Sequence, residues 1–518
     1  MTPTARARRP SRNLKSSPAI SARTSSRYLY LLVFVVGACT MGTEIAGARL
    51  LAPYFGDSTI VWANTIAVVL VALSVGYWLG GRLADRDPRL TSLCRVVLGG
   101  ALLISIIPFL AKPFLGASVD AFDSISIGAF AGSLAGVLVL LAIPVMVLGS
   151  VSPWAIRLAM SDTAVEKSGE VAGRLYAVST GGSLVGTMLS ALLTIPLLGT
   201  QRTFLAFALV VAIVAVVGLP LRWSAVPIAL AMAMIIPVES IKASDTGKVL
   251  YETETTHQYV RVVERPDGER RLELNEGQAI HSIYRPGEYL VGNYWDEGLV
   301  LPLAGGEGPP GRMAILGNAA GTVARSYGHF FPDTKIDAVE IDGKLSEIGR
   351  EYFDMRNPNM TVHTEDARPW LRQADPVYDT IFIDAYHQPY IPFYLATKEF
   401  FGLVRDRLKP GGTGMINVGH PEGNGDLEET LVSTMEESFP EIIRDPVTDT
   451  NVQLLGGGDF EPGDLRREIP DIPRPLRPVA RDTSDRLSPA EGNGTVWTDD
   501  KAPVEWLVDL SLIGFANE

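Results

Sequence analysis

In one short stretch, IFIDAYHQPYIPFY at 381–394, residue type and position together suggest chemistry. Apolar, β-favouring residues run into Asp384, and the chain then breaks into an aromatic loop punctuated by proline. An acid at the carboxyl end of a buried strand, followed by such a loop, is where doubly wound α/β enzymes keep their chemistry. Asp384 is therefore the candidate catalytic base. Upstream, LGNAAGT (316–322) closes another apolar run, and its Gly317 and Gly321 permit a tight turn and close approach of backbone to a ligand. Glu340 follows about twenty residues on, where a carboxylate accepts hydrogen bonds from ribose hydroxyls. A glycine loop and an acid at this spacing point to a nucleoside-containing cofactor. Asp366, in TEDARPWL (364–371), is either a partner for an adenine amino group or the N-cap of a helix beginning at Ala367.

These residues need strands ending at one edge of a sheet. MAILGN (313–318), KIDAVEID (335–342), YDTIFIDA (378–385) and TGMINV (413–418) read as strands, with TVARSYGHFF and KLSEIGREYF as helices between them. Strand–helix alternation gives a parallel, doubly wound sheet. Before it, QYVRVVER and RRLELNEG alternate around the turn PDGE (266–269), which predicts a small antiparallel β-module.

The first half is of another kind. Apolar windows of spanning length occur near 28–50, 59–80, 91–112, 126–150, 172–198 and 203–220. A shorter one covers 223–238, which at about 1.5 Å per residue reaches roughly 24 Å against a bilayer core of about 30 Å. The expected class is thus an α-helical multi-span membrane domain followed by an α/β Rossmann-like, methyltransferase-type domain carrying a small N-terminal antiparallel β-module. The expected segments are a basic, disordered arm (1–27), a membrane domain of six or seven spans (28–240) and the β-module (247–303). The Rossmann-like domain (311–460), a Pro-rich loop (461–490) and a C-terminal element (491–518) follow.

The arm carries Arg6, Arg8, Arg9, Arg12, Lys15, Arg23 and Arg27 and no acid, and the 81–89 and 157–174 loops are also basic. The opposite side holds little beyond Lys112 and Arg202, so the positive-inside rule puts the N-terminus of this multi-pass, cell-membrane chain in the cytoplasm. Six spans return the soluble domain to the cytoplasm, the expected place for it because a nucleoside cofactor would be supplied there; seven export it. Glu44 and Arg49 lie in or near the first span. Ionisable groups there are functional by default; alternatively Arg49 snorkels and Glu44 meets a polar neighbour such as Asn64.

Composition removes other classes. A net charge of −13 argues against a nucleic-acid partner. The two cysteines, Cys39 and Cys94, sit in apolar segments, which excludes a disulfide framework and a cysteine zinc site; no metal is expected.

The pieces HQYVRV, LELNEGQ, YWDEGLVLPL, LGNAAGT, VEID, TEDA and IFIDAYHQP, in that order, resemble the spermidine synthase (aminopropyltransferase) family, and with the apolar half the chain resembles its bacterial membrane-fused members. The resemblance implies polyamine biosynthesis. A transferase would move an aminopropyl group from decarboxylated S-adenosylmethionine, a co-substrate rather than a tightly bound cofactor, to a diamine. It puts Gln258, Glu340 and Asp366 around the nucleoside, Tyr294 and His387 at the substrate, and Asp384 as the acid that deprotonates the attacking amine. A homodimer through the soluble domain is a further expectation.

The sequence departs from the family where polyamines are held. Ala320 stands in place of a loop aspartate and His387 in place of a second loop acid, while Trp295 and Asp296 replace the usual His/Gln and Glu. An unpaired desolvated ammonium costs several kcal/mol, so the polyamine site is degenerate. His281 and His387 are candidates for a different polar site, against the commoner buried, satisfied histidine. Two alternatives stay open: an S-adenosylmethionine-dependent methyltransferase, and a non-catalytic nucleoside- or polyamine-binding membrane sensor or transporter.

Overall fold

The computed structural model describes residues 22–55, 59–122, 128–161, 167–235, 244, 246–275, 279–305, 308–375, 377–387, 390–420, 425–458, 460 and 463–508. Most of the basic arm and the end of the C-terminal element lie outside these residues, as do 276–278 within LELNEGQ.

Among the described residues, five helices are long and apolar enough to cross a membrane: α1 (Ala22–Phe55), α2 (Thr59–Arg86), α3 (Leu90–Phe122), α4 (Phe130–Met160) and α5 (Ser168–Leu198). Two shorter apolar helices follow, α6 (Thr200–Val216) and α7 (Ala225–Ala233). α6 is buried between α1 and α3, whereas Ile228 and Met232 of α7 are exposed. Small residues let the helices meet backbone to backbone. A Cβ at Gly182 or Gly186 of α5 would fall within 2.1 Å of the carbonyl of Phe34 or Ala38 on α1. Asn64 donates to Ser133 Oγ (2.9 Å) rather than serving Glu44.

The β-module pairs β1 (Lys248–Glu254), β2 (Tyr259–Glu264), β3 (Arg270–Leu274) and β4 (Ile280–Tyr284) antiparallel in chain order. It ends earlier than the sequence suggests. The helix α8 (Tyr294–Val300) and the turn after it bury Trp295, Leu299, Leu301 and Leu303 against Met313, Ile315 and Phe382, in the core of the next domain. That apolar stripe, not the Gly/Pro run after it, sets the boundary.

The second sheet comprises β5 (Arg312–Leu316), β6 (Lys335–Val339), β7 (Met360–His363), β8 (Tyr378–Ile383), β9 (Leu408–Gly419), β10 (Glu441–Thr448), β11 (Asn451–Gly457) and β12 (Ser488–Pro489). Its spatial order is 12-10-11-9-8-5-6-7, parallel from β7 to β9, with β11 antiparallel to both β9 and β10. The order reverses between β5 and β8, and their carboxyl ends open the crevice where ligands bind in such sheets. Helices α9 (Thr322–Phe330), α10 (Gly343–Tyr352) and α11 (Ala367–Gln373) make the first crossovers.

The 461–490 segment is a correction. It is not a loop: it holds helices α12 (Asp464–Glu468) and α13 (Arg477–Arg486) and the edge strand β12. Proline is tolerated in a first helical turn, as at Pro478, and Arg486 ties α13 to buried Asp445 (2.7 Å).

Among the described residues, the turn after β1 joins the two halves by hydrogen bonds, beside contacts of α1 with β2. Glu254, the last residue of β1, accepts hydrogen bonds from the backbone N–H and the hydroxyl of Thr200, the first residue of α6. Arg49 of α1 donates to the Thr256 carbonyl (2.5 Å). From the other side of the same turn, Thr255 Oγ1 donates to Asp342 (2.7 Å) and Gln258 Nε2 to the same oxygen (3.4 Å). Removing one partner of such a buried bond costs about 1–3 kcal/mol. Glu254→Ala should lower stability by that amount and speed amide hydrogen exchange across 255–258. Unchanged exchange there would mean the turn is held from the Asp342 side alone.

Candidate active site

The loop between β5 and α9 is fixed by its neighbours. Gly317 has φ +93°, and a Cβ there would lie 2.4 Å from the Asp384 carbonyl oxygen and 2.5 Å from Ala385 Cα. Only glycine lets the ends of β5 and β8 come this close. Ala319 also has positive φ (46°) and gives its N–H to Glu340 (2.8 Å). On the module side, Ala320 N–H bonds Ser282 Oγ (3.0 Å), and Thr322 Oγ1 accepts from Ile283 N (3.0 Å). The β-module is thereby bolted to the loop.

Two cavities share this wall. One, of about 290 Å³, is lined by Gln258, Glu340, Asp366, His387, Tyr394 and their neighbours. The other, of about 630 Å³, is lined by Tyr294, Asn318, Asn417, His420, Asn451 and their neighbours. His281, Gly317, Ala319, Asp384 and Tyr386 border both. The expected nucleoside residues are thus mostly gathered in the smaller cavity. Gly321 borders neither: it packs on Met355, whose sulfur would be 2.3 Å from a Cβ. The two expected substrate residues are separated, Tyr294 in the larger cavity and His387 in the smaller. His387 is exposed and pairs its backbone with Tyr390 (2.8 and 2.9 Å).

Asp366 is the N-cap of α11 and also lines the smaller cavity. It caps α11 by accepting from Arg368 N (3.0 Å), and its other oxygen takes the Tyr394 hydroxyl (2.7 Å) at the cavity wall. Glu340 is buried and accepts from two backbone N–H groups, Ala319 and Asp342 (3.0 Å). Burial outweighs those bonds and pushes its carboxyl up to about 7.

Asp384 is the centre of the arrangement. It accepts from Asn417 Nδ2 (2.9 Å) and from the Tyr294 hydroxyl. Part of the residue faces the cavity, yet desolvation dominates these bonds and raises it to about 7. Burial and the adjacent Asp384 carboxylate keep the Tyr294 phenol protonated. Tyr386 donates to the Asn417 carbonyl (3.0 Å) and accepts from Gly419 N (2.7 Å), which holds the β9 end in place. Asn451 Nδ2 in turn donates to Asn417 Oδ1 (2.8 Å) and fixes that amide's orientation. His281 is kept neutral by burial, its pKa lowered to about 4, and its Nε2 has no hydrogen-bond partner among the described residues.

Asn417 went unread in the sequence, since only strand register sets it beside Asp384. The parallel register pairs Ile383 with Ile416, so the next residues, Asp384 and Asn417, stand side by side. Ala320 lies in the apolar cluster with Val260, Leu345 and Ile348 and lines neither cavity. Asp296 is structural, accepting from Val291 N (2.9 Å) and Gly292 N (2.8 Å).

Strand order and crevice define the class: a methyltransferase-type α/β domain with ionisable carboxyls at its switch point. Residues 302–460 match the family model of the spermine/spermidine synthase domain. Over 278 residues the chain is 30% identical to a probable polyamine aminopropyl transferase of Bifidobacterium longum (strain NCC 2705), covering 50% of this chain and 61% of that protein. It is 24% identical over 440 residues to polyamine aminopropyltransferase 1 of Streptomyces coelicolor, covering 78% of each. A crystal structure of a probable spermidine synthase from Corynebacterium glutamicum aligns over 50% of this chain and 100% of its own, at 17% identity and a TM-score of 0.38. The chain thus spans less than two thirds of the Bifidobacterium relative.

Gly317→Ala should destabilise the protein by at least about 1–3 kcal/mol, the cost of a strained backbone, and abolish ligand binding in the crevice; a wild-type melting curve would count against the close strand approach. The carboxyls also set a pH slope. Asp384 and Glu340 sit near 7 when folded and near 4 when unfolded. The folded state therefore holds extra protons between those values, and its stability falls as pH rises through that window. Asp384→Asn should make the fall shallower in melting experiments without ligand.

Proposed function

We propose that the protein is a membrane-anchored, aminopropyltransferase-like enzyme that alkylates an amine with a sulfonium nucleoside. The observation carrying this reading is that Asp384 borders both cavities, one able to take a nucleoside and the other an amine. The smaller cavity offers Glu340 for ribose hydroxyls, Asp366 for an adenine amino group, and Gln258 as a further polar group in its lining. In the transfer, the amine nitrogen attacks the methylene beside the sulfonium, the carbon–sulfur bond breaks, and its electron pair stays on sulfur as a neutral thioether. Asp384 takes the proton that the nitrogen must lose, and the leaving group needs neither acid nor metal. A base with a pKa near the working pH is the effective choice. The Tyr294 hydroxyl and Asn417 amide orient the carboxylate.

Decarboxylated S-adenosylmethionine is the donor by this reading, used as a co-substrate, and the polyamine site is a reduced one. A second reading, methyl transfer from S-adenosylmethionine, is favoured by one observation: Ala320 sits in an apolar cluster, leaving no carboxylate at that loop position for a donor ammonium. In both readings the chain is an integral, multi-pass membrane protein with its N-terminus in the cytoplasm, its helices in lipid.

Purified full-length protein incubated with an amine and each donor separates the readings by product, methylthioadenosine against S-adenosylhomocysteine. Turnover should rise with pH through about 7 and then level, because Asp384 acts deprotonated. Asp384→Asn should lower it by about 10²–10⁴-fold and remove the inflection. Full activity in that variant would eliminate Asp384 as the base.

A further inference from the structure

We infer that the soluble domain stands on the non-cytoplasmic side of the membrane, so that the crevice meets its substrates outside the cytoplasm. The inference goes beyond the enzymatic reading and does not depend on it. It follows from tracing which end of the helix bundle each loop occupies.

Two sets of contacts mark the ends. At one, Tyr28 near the start of α1 donates to the Val214 carbonyl at the end of α6 (2.8 Å) and meets Cys94 near the start of α3 (3.2 Å). At the other, Arg49 of α1 and Thr200 of α6 hold the 254–256 turn of the soluble domain. The helix α6 therefore runs antiparallel to α1 and crosses the bundle, about 26 Å for its length. α5 runs parallel to α1, since Ser183 reaches the Gly37 carbonyl (3.4 Å) and Ser190 the Gly42 carbonyl (3.0 Å). α2 and α4 run together, with Asn64 against Ser133 and, further along, Arg157 against Asp85 (2.9 Å). Phe55, at the far end of α1, packs on Gly132 at the start of α4.

Six crossings bring the chain to Gly218, beside Tyr28 and Cys94. The soluble domain is docked at the opposite end. Between Gly218 and the docked domain the described helix α7 packs along α6, and the path from one end of the bundle to the other amounts to a seventh crossing. Odd crossings put the domain opposite the start of α1.

Charge then orients the bundle. The Tyr28 end carries Arg27, the Arg82–Arg95 stretch with Arg86 and Arg89, then Arg157, Lys167, Arg174 and Arg222. The Arg49 end has, among the described membrane-domain residues, Lys112 and Arg202 besides. Lys and Arg in short loops mark the cytoplasmic face. This replaces the expectation of a cytoplasmic soluble domain, which rested on supply of the sulfonium nucleoside and not on the path of the chain. It also places the reaction in a sequence: a step moving a cationic nucleoside across the membrane must precede any transfer at this site.

Single cysteines test the arrangement in right-side-out vesicles, since Cys39 and Cys94 are buried. A membrane-impermeant maleimide should label Asp406→Cys, on an exposed face of the soluble domain, at once, and Ser161→Cys, between α4 and α5, only after permeabilisation. Labelling of Ser161→Cys alone, of both, or of neither before permeabilisation would overturn the inference. Wild-type protein gives a second measurement: protease added outside should remove the soluble domain, and full protection would overturn it equally. Neither result touches the donor assay, so failure here and failure of the enzymatic reading remain separate.

Discussion

The crossing of Gly317 against the Asp384–Ala385 backbone is the contact on which the site depends. Two parallel strands are normally separated at their carboxyl ends by the turns that leave them. Here one turn folds over the end of the other strand, at a separation that no side chain permits. The glycine loop and the acid thus form one wall with two sides. Everything proposed about the chemistry uses that wall: nucleoside on one side, amine on the other, a proton acceptor within it.

Electrostatics reinforces the geometry. Asp384 and Glu340 are both desolvated and both receive too few donors to offset it, so each protonates near neutrality. The surrounding groups are amides, hydroxyls and a neutral histidine, which orient a carboxylate without pairing its charge. An arginine beside Asp384 would have stabilised the anion and taken away its use as a base. Arg486, by contrast, serves Asp445 and Glu297 and holds the last helices in place.

Much of the sheet was legible because its strands are short, apolar and bounded by glycine or acid. Glu340, Asp366 and Asp384 were found for the same reason: strand ends show in a sequence, and acids there are conspicuous. What escaped was lateral. The Asn417–Asp384 bond and the Asn451 support depend on register between strands distant in sequence, which periodicity does not encode. The proline-rich 461–490 stretch misled because proline at a helix start reads like proline in a loop. Arg49 looked like a charge searching for a membrane role, and its partner turned out to be a carbonyl in the other half of the chain.

The turn at 254–258 connects β1 to β2 in four residues and is gripped from both sides. Glu254 and Thr256 face the bundle; Thr255 and Gln258 face Asp342 and the nucleoside cavity. A chain with this alternation has no slack. Inserting or deleting a single residue there would rotate the membrane contacts toward the cavity and the cavity contacts toward the bundle. The length of this turn is therefore as fixed as its composition, and a short surface hairpin becomes one of the places where the chain tolerates no change in spacing.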